Sequence, residues 1–180
     1  MKLKLPPIYG YVVWLLLSDK SSREIKNWMK LLRDKTDSPF FVPHLTLLRP
    51  SDQLDEQQII RATEKIAEGQ KLLRLHVTGT DSGSSQYQAF YLKVEPSQAL
   101  TALHAKLEKT MSDPGNKAFN PHVSLVYGSL PANKRTELEK VIQLPEQYQM
   151  TGNRLAVVRL NGTPEHWSIV HQSKLEEKPA

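Results

Sequence analysis

The chain has no cysteine, and that one absence removes disulfides, thiolate metal sites and cysteine nucleophiles together. It suits a reducing compartment without establishing one. Glycine is scarce, at 8 of 180 residues, so collagen-like and glycine-rich disordered readings drop out. Long apolar runs are missing as well. The densest, Tyr11 to Leu17, falls far short of the ~20 residues of a spanning helix. Lys2 and Lys4 precede it, but Pro6-Pro7 interrupts the approach and no small-x-small cleavage site follows. A soluble cytoplasmic protein is therefore expected, with no membrane partner. No Gly-x-Ser-x-Gly elbow is present, which removes the serine-hydrolase reading.

What remains is an ordinary globular composition, 39% hydrophobic and 24% charged, on a length that fits one domain or two tightly packed halves. The formal charge is +5. A modest positive field favours anionic partners such as nucleotides or RNA, and serves solubility equally well.

Patterning predicts a strand over 9–17, a helix over 21–35, a strand over 40–48, a helix over 55–69 and a strand over 71–79. Ser18-Asp19 and Ser21-Ser22 offer helix caps, and Gly69 a helix stop. Asp81 to Ser85 is the clearest loop. The order then restarts: strand 87–94, helix from Pro96-Ser97 to Met111, a turn at Asp113-Pro-Gly115, strand 119–127 and helix 132–142. Strands over 148–160 and 165–175 close the chain, split at Asn161-Gly162, with a frayed tail over 176–180. The plan of residues 9–80 thus repeats over 87–175. It predicts an α+β fold of two pseudo-symmetric lobes in a single bilobal domain. Each lobe carries an antiparallel sheet with helices, and the active site lies in the cleft between them.

The middle strands of the halves read Phe41-Val-Pro-His44-Leu-Thr46-Leu-Leu and Phe119-Asn-Pro-His122-Val-Ser124-Leu-Val. The bare pattern His-x-(Ser/Thr) also occurs at His76, His166 and His171, so alone it selects nothing. The matched context 78 residues apart does. For the other three histidines a structural or surface role is expected.

Residues i and i+2 of a strand share a face, so His44 projects with Thr46, and His122 with Ser124. Neighbouring strands would bring two imidazoles and two hydroxyls to one cavity. Imidazoles titrate near neutrality and can act as general base and general acid in one turnover. Hydroxyls can donate to non-bridging phosphate oxygens where charge builds up. This suits in-line displacement at phosphorus. The competing reading is a buried histidine bonded to a local hydroxyl; a zinc site is another, weakened because neither motif carries a third ligand.

On these residues the chain resembles the 2H phosphoesterase superfamily, named for two His-x-(Thr/Ser) motifs, and within it the cyclic phosphodiesterases of plants and yeast. Tyr11-Val-Val-Trp14, Pro121 to Tyr127, Asn153 to Val157 and Trp167-x-Ile-Val170 extend the likeness over nearly the whole chain. The resemblance implies a bilobal α+β fold and metal-independent hydrolysis of cyclic phosphodiesters, with no cofactor. The implied substrates are nucleoside 2′,3′-cyclic phosphates, opened to 2′-phosphates, and ADP-ribose 1″,2″-cyclic phosphate, a by-product of tRNA splicing. By motif position it implies His44 and His122 as the acid–base pair, with His122 preferred as base, and Thr46, Ser124 and Tyr127 as phosphate-binding. Trp14 and Tyr87 fall where relatives carry aromatics that sandwich the base. A monomer acting on a small substrate is expected. Two rivals stay open: a relative acting on RNA ends, as a 2′–5′ RNA ligase or 3′ exonuclease, and a non-catalytic nucleotide- or RNA-binding module.

Overall fold

A computed structural model describes residues 5–113, 118–131 and 133–177. The elements run β1 (Ile8–Leu17), α1 (Asp19–Arg33), β2 (His44–Leu48), α2 (Glu56–Ala67), β3 (Leu73–Asp81), β4 (Phe90–Val94), α3 (Gln98–Met111), β5 (His122–Val126), α4 (Lys134–Ile142), β6 (Gln149–Gly162) and β7 (Ser168–Lys174). Short 3₁₀ turns at Gln86–Gln88 and Pro164–His166 precede β4 and β7. The order expected from the repeat is the order observed. Most of the expected 113–115 turn, and residue 132 at the start of the fourth helix, lie outside the described residues.

Each of the first three helices begins where its cap dictates. Ser18 accepts the Ser21 N–H at the start of α1, and Asp55 and Gln58 form a reciprocal capping box on α2. The Ser97 hydroxyl accepts the Leu100 N–H on α3. Lys30 and Arg33 in the last turn of α1 complement its dipole. Ile25, Met29 and Leu32 recur at helical spacing and turn inward.

All named strand pairings are antiparallel. The order is β1-β2-β5-β4-β3-β6-β7, with β1 also paired to β6, so six strands close a circuit. The sheets of the two lobes are thus portions of one: β2-β1-β6-β7 and β5-β4-β3-β6. They share β6 and meet again where β2 touches β5 at Leu45 and Val123. The long β6 pairs with β3 over Gln149–Gly152 and with β7 over Arg154–Arg159. At the changeover, Gly152 has Leu15 against it so closely that a Cβ would lie 2.5 Å from Leu15 Cδ2.

Strand alternation gives β1 two apolar faces. Val13, Leu15 and Leu17 enter the main core, to which all four helices contribute. Val12, Trp14 and Leu16 join Ala156, Val158 and Leu160 in a second cluster that takes no helix residue. The helices interlock the halves, since α1 lies on β5 and α3 on β2. His104 of α3 stacks on Phe119 at 4.0 Å and meets the Leu47 carbonyl at 2.8 Å.

Four expected strands begin three or four residues late: β4 at Phe90 and β7 at Ser168, each after a 3₁₀ turn, and β2 and β5. Residues 40–43 and 119–121 lie outside the ladder, and Pro43 and Pro121 precede the first paired residue of β2 and β5. Proline offers no N–H to a ladder. Glu176, expected in a frayed tail, is anchored: its N–H donates to the Gln70 carbonyl at 2.8 Å, and its carbonyl accepts from Leu72 at 2.9 Å; residues 178–180 of that tail lie outside the described residues. No helix among the described residues is long and apolar enough to cross a membrane.

Candidate active site

With Leu45 beside Val123, the register sets His44 opposite Ser124 and Thr46 opposite His122. All four lie on the face away from those two core residues. The cleft there has a volume of about 490 Å³. Trp14, His44, Thr46, Tyr87, His122, Ser124 and Tyr127 all line it, so the structure gathers every residue that the sequence singled out for the site.

The two histidines are held by the same device. His44 Nδ1 lies 2.6 Å from the Val42 carbonyl, and His122 Nδ1 lies 2.8 Å from the Asn120 carbonyl. A carbonyl only accepts, so each Nδ1 carries the hydrogen and each Nε2 keeps a lone pair. In both halves the carbonyl belongs to the residue before the proline.

Their surroundings differ. His44 is 6% exposed and lies flat against Trp14, with centroids 3.6 Å apart and planes 13° from parallel. Burial disfavours its imidazolium, and although the Val42 bond opposes this, the pKa is held down at about 4. His122 is half-buried, and burial also lowers its pKa, against the Asn120 bond. Its Nε2 receives the Gln88 amide at 3.3 Å.

The hydroxyls are unequal too. Thr46 is exposed to the cleft, whereas Ser124 is buried and donates to the Tyr87 carbonyl at 3.1 Å. Tyr127 is buried and stacked on Phe41 at 3.7 Å. Burial pushes its phenol far up, so it remains a protonated donor.

Trp14 and Tyr87 both line the cleft, in different surroundings. One face of Trp14 is covered by His44. Tyr87 stacks on Trp167 at 5.5 Å, and its hydroxyl donates to the Pro6 carbonyl at 2.6 Å. Trp167 also contacts Trp14 and Tyr127. The sequence placed Trp167 only in a strand; its signal was an aromatic just after the Asn161-Gly162 break, with no counterpart in the first half. Arg49, just past the expected end of the 40–48 strand, lines the cleft as well. Gln88 was passed over for want of any pattern.

The other histidines lie apart from this cleft. His76 is near Glu95 at 3.8 Å, His166 near Thr163 at 3.4 Å, and His171 near Ser173 at 2.9 Å. Among the described residues no group of three or more His, Asp or Glu could hold a metal ion.

The sequence matches the 2′-5′ RNA ligase superfamily over residues 17–164. The chain belongs to that family. It is thus a 2H phosphoesterase, the superfamily that the paired motifs suggested. A cyclic phosphodiesterase of Arabidopsis thaliana is 25% identical over 167 residues, covering 89% of this chain and 92% of that protein. A 2′,3′-cyclic-nucleotide 3′-phosphodiesterase of Phaeosphaeria nodorum is 24% identical, covering 92% and 99%. A protein of Geobacillus sp. strain WCH70, provisionally named a phosphoesterase, is 31% identical over 109 residues, 58% of this chain and only 63% of its own length. In fold, the 2H phosphoesterase resembles TT0787 of Thermus thermophilus, with a TM-score of 0.66 at 17% identity over 94% of this chain and 99% of that one. It also resembles LigT of E. coli, with a TM-score of 0.60 at 15% identity over 95% and 98%.

Proposed function

We propose that this phosphoesterase hydrolyses cyclic phosphodiesters without a metal. It would open nucleoside 2′,3′-cyclic phosphates to 2′-phosphates, or ADP-ribose 1″,2″-cyclic phosphate to ADP-ribose 1″-phosphate. The observation that carries the reading is the pair of imidazoles on adjoining strands. Each is locked by an Nδ1 bond to a preceding carbonyl, so that Nε2 serves proton transfer, that of His122 once the Gln88 amide gives way, with a hydroxyl beside it. The names of the Arabidopsis and Phaeosphaeria relatives point the same way.

In this mechanism one Nε2 takes a proton from water as its oxygen bonds to phosphorus. The P–O3′ bond breaks in line, and the second imidazole, arriving protonated, gives its proton to that oxygen. Thr46 and Tyr127 donate to the non-bridging oxygens, and Ser124 joins them by leaving the Tyr87 carbonyl. The preference for His122 as base has no sequence feature behind it. Burial under Trp14 argues for the opposite order, because His44 resists protonation more strongly. We assign His44 as base and His122 as acid.

The test is turnover of a 2′,3′-cyclic nucleotide by His44→Ala and His122→Ala. Each should lose ~10²–10⁴-fold in kcat. Near wild-type turnover in either would end the two-histidine mechanism.

A second reading, action on RNA ends, draws on one further feature. Beyond the Trp14 and Trp167 rim lies an apolar groove of about 530 Å³ lined by Phe40, Val42, Lys26 and Lys30. A cyclic-phosphate-ended oligonucleotide that outcompetes a cyclic mononucleotide in kcat/KM would favour it.

A further inference from the structure

The proposed reaction asks for two imidazoles and their neighbouring hydroxyls; it does not ask for Arg49. Yet Arg49 lines the same cleft as His44, Thr46, His122 and Ser124. Among the described lining residues it is the single permanently charged side chain, and no Asp or Glu is among them. A cyclic phosphodiester carries one negative charge, which one imidazolium balances. The guanidinium is a surplus cation.

Its placement is built rather than incidental. Nη2 donates to the Tyr9 carbonyl at 2.7 Å. The backbone at Gly10 has φ +100° and comes so near that a Cβ there would lie 3.4 Å from Nη2. That anchor uses one edge of a five-donor fork. Arg49 takes part in none of the ion pairs within 4.0 Å among the described residues; Asp52 Oδ1 lies near the same anchor, 3.7 Å from that Gly10 Cβ position, and does not line the cleft. A pinned guanidinium with donors to spare at the wall of an otherwise uncharged cleft is suited to a phosphate group.

We propose that Arg49 receives a second phosphate group of the substrate, separate from the cyclic phosphate. It thereby sets the substrate class as nucleotides that carry both. This rests on the phosphodiesterase reading and narrows it. The second phosphate can be a 5′-monoester or the phosphodiester to a further nucleotide; the chemistry recognised is the same.

The test compares kcat/KM for adenosine 2′,3′-cyclic phosphate, its 5′-phosphorylated form, and an adenosine dinucleotide ending in a 2′,3′-cyclic phosphate. Wild-type protein should prefer at least one of the latter two, and which one identifies the source. Hydrogen bonds to charged groups imply that Arg49→Gln loses about 10- to 100-fold more on the preferred substrate than on the cyclic mononucleotide. Arg49→Lys should keep part of the preference, and added salt should erode it in wild type. Equal losses on all three substrates would reduce Arg49 to a pin for the start of β1 and overturn the proposal, as would a wild type without preference. If wild type turns over none of the three, the reading as a nucleoside 2′,3′-cyclic phosphodiesterase falls, and this proposal with it.

Discussion

His44 and His122 come from matched segments but sit at different depths, and that difference has kinetic consequences. A base must be neutral and an acid protonated. With His44 as base, activity should fall as pH drops towards its pKa of about 4. With His122 as acid, activity should fall as pH rises through a pKa below its ordinary value of about 6.5. The kcat/KM profile, which reports the free enzyme, should be a bell with its maximum on the acid side of 6.5. A maximum above neutrality would contradict the assignment. The hydroxyls should separate as well. Ser124 satisfies the Tyr87 carbonyl, so Ser124→Ala should cost ~1–3 kcal/mol of stability. Thr46 faces the cleft, so Thr46→Ala should lower kcat and leave the denaturation midpoint nearly unchanged. Urea unfolding beside kinetics checks both. At this scale the sequence was readable where residues recurred. His-x-Thr and His-x-Ser stood out because the context repeated; Arg49, Gln88 and Trp167 have no counterpart and reach the cleft only through tertiary placement.

Helices were legible to within a residue or two where a cap was present: Ser18, Asp55 and Ser97 each start a helix. Strands were less so. Phe40 to Pro43 alternates in burial like a strand, yet the ladder begins only at His44. The stretch 86–88 turns instead of extending, because the Ser85 hydroxyl takes the Tyr87 N–H at 3.2 Å and the Gly83 N–H reaches back to the Gln88 carbonyl at 2.7 Å. The loop expected at 81–85 therefore supports two cleft residues, Tyr87 and Gln88. At the β6 changeover, Gly152→Ala drives a methyl into the fully buried Leu15 side chain. It should destabilise by ~1–3 kcal/mol, read as a lower urea midpoint with unchanged slope. An unaltered midpoint would mean that β1 and β6 are less tightly apposed.

Over the whole molecule, the repeat disclosed the order of elements but not how the halves join. The circuit through β1, β6 and β3, and the crossing of α1 onto β5, are contacts between distant segments that local periodicity does not encode. Burial of His44 also couples the site to global stability. Its pKa is near 6.5 when unfolded and about 4 when folded, so between those values the unfolded chain binds more protons. Stability should be full above pH 6.5 and fall by on the order of 3 kcal/mol as pH drops to about 4. Replacing His44 with Gln should flatten that slope in urea titrations run at stepped pH.

The central claim, metal-free opening of a cyclic phosphodiester by two imidazoles, is tested most directly by product identification. Purified protein is incubated with a 2′,3′-cyclic nucleotide in EDTA and followed by phosphorus NMR. We expect the cyclic phosphate resonance to be replaced by that of a 2′-monophosphate, at the same rate with and without chelator. Activity lost on chelation, or a 3′-monophosphate as the product, would contradict the account.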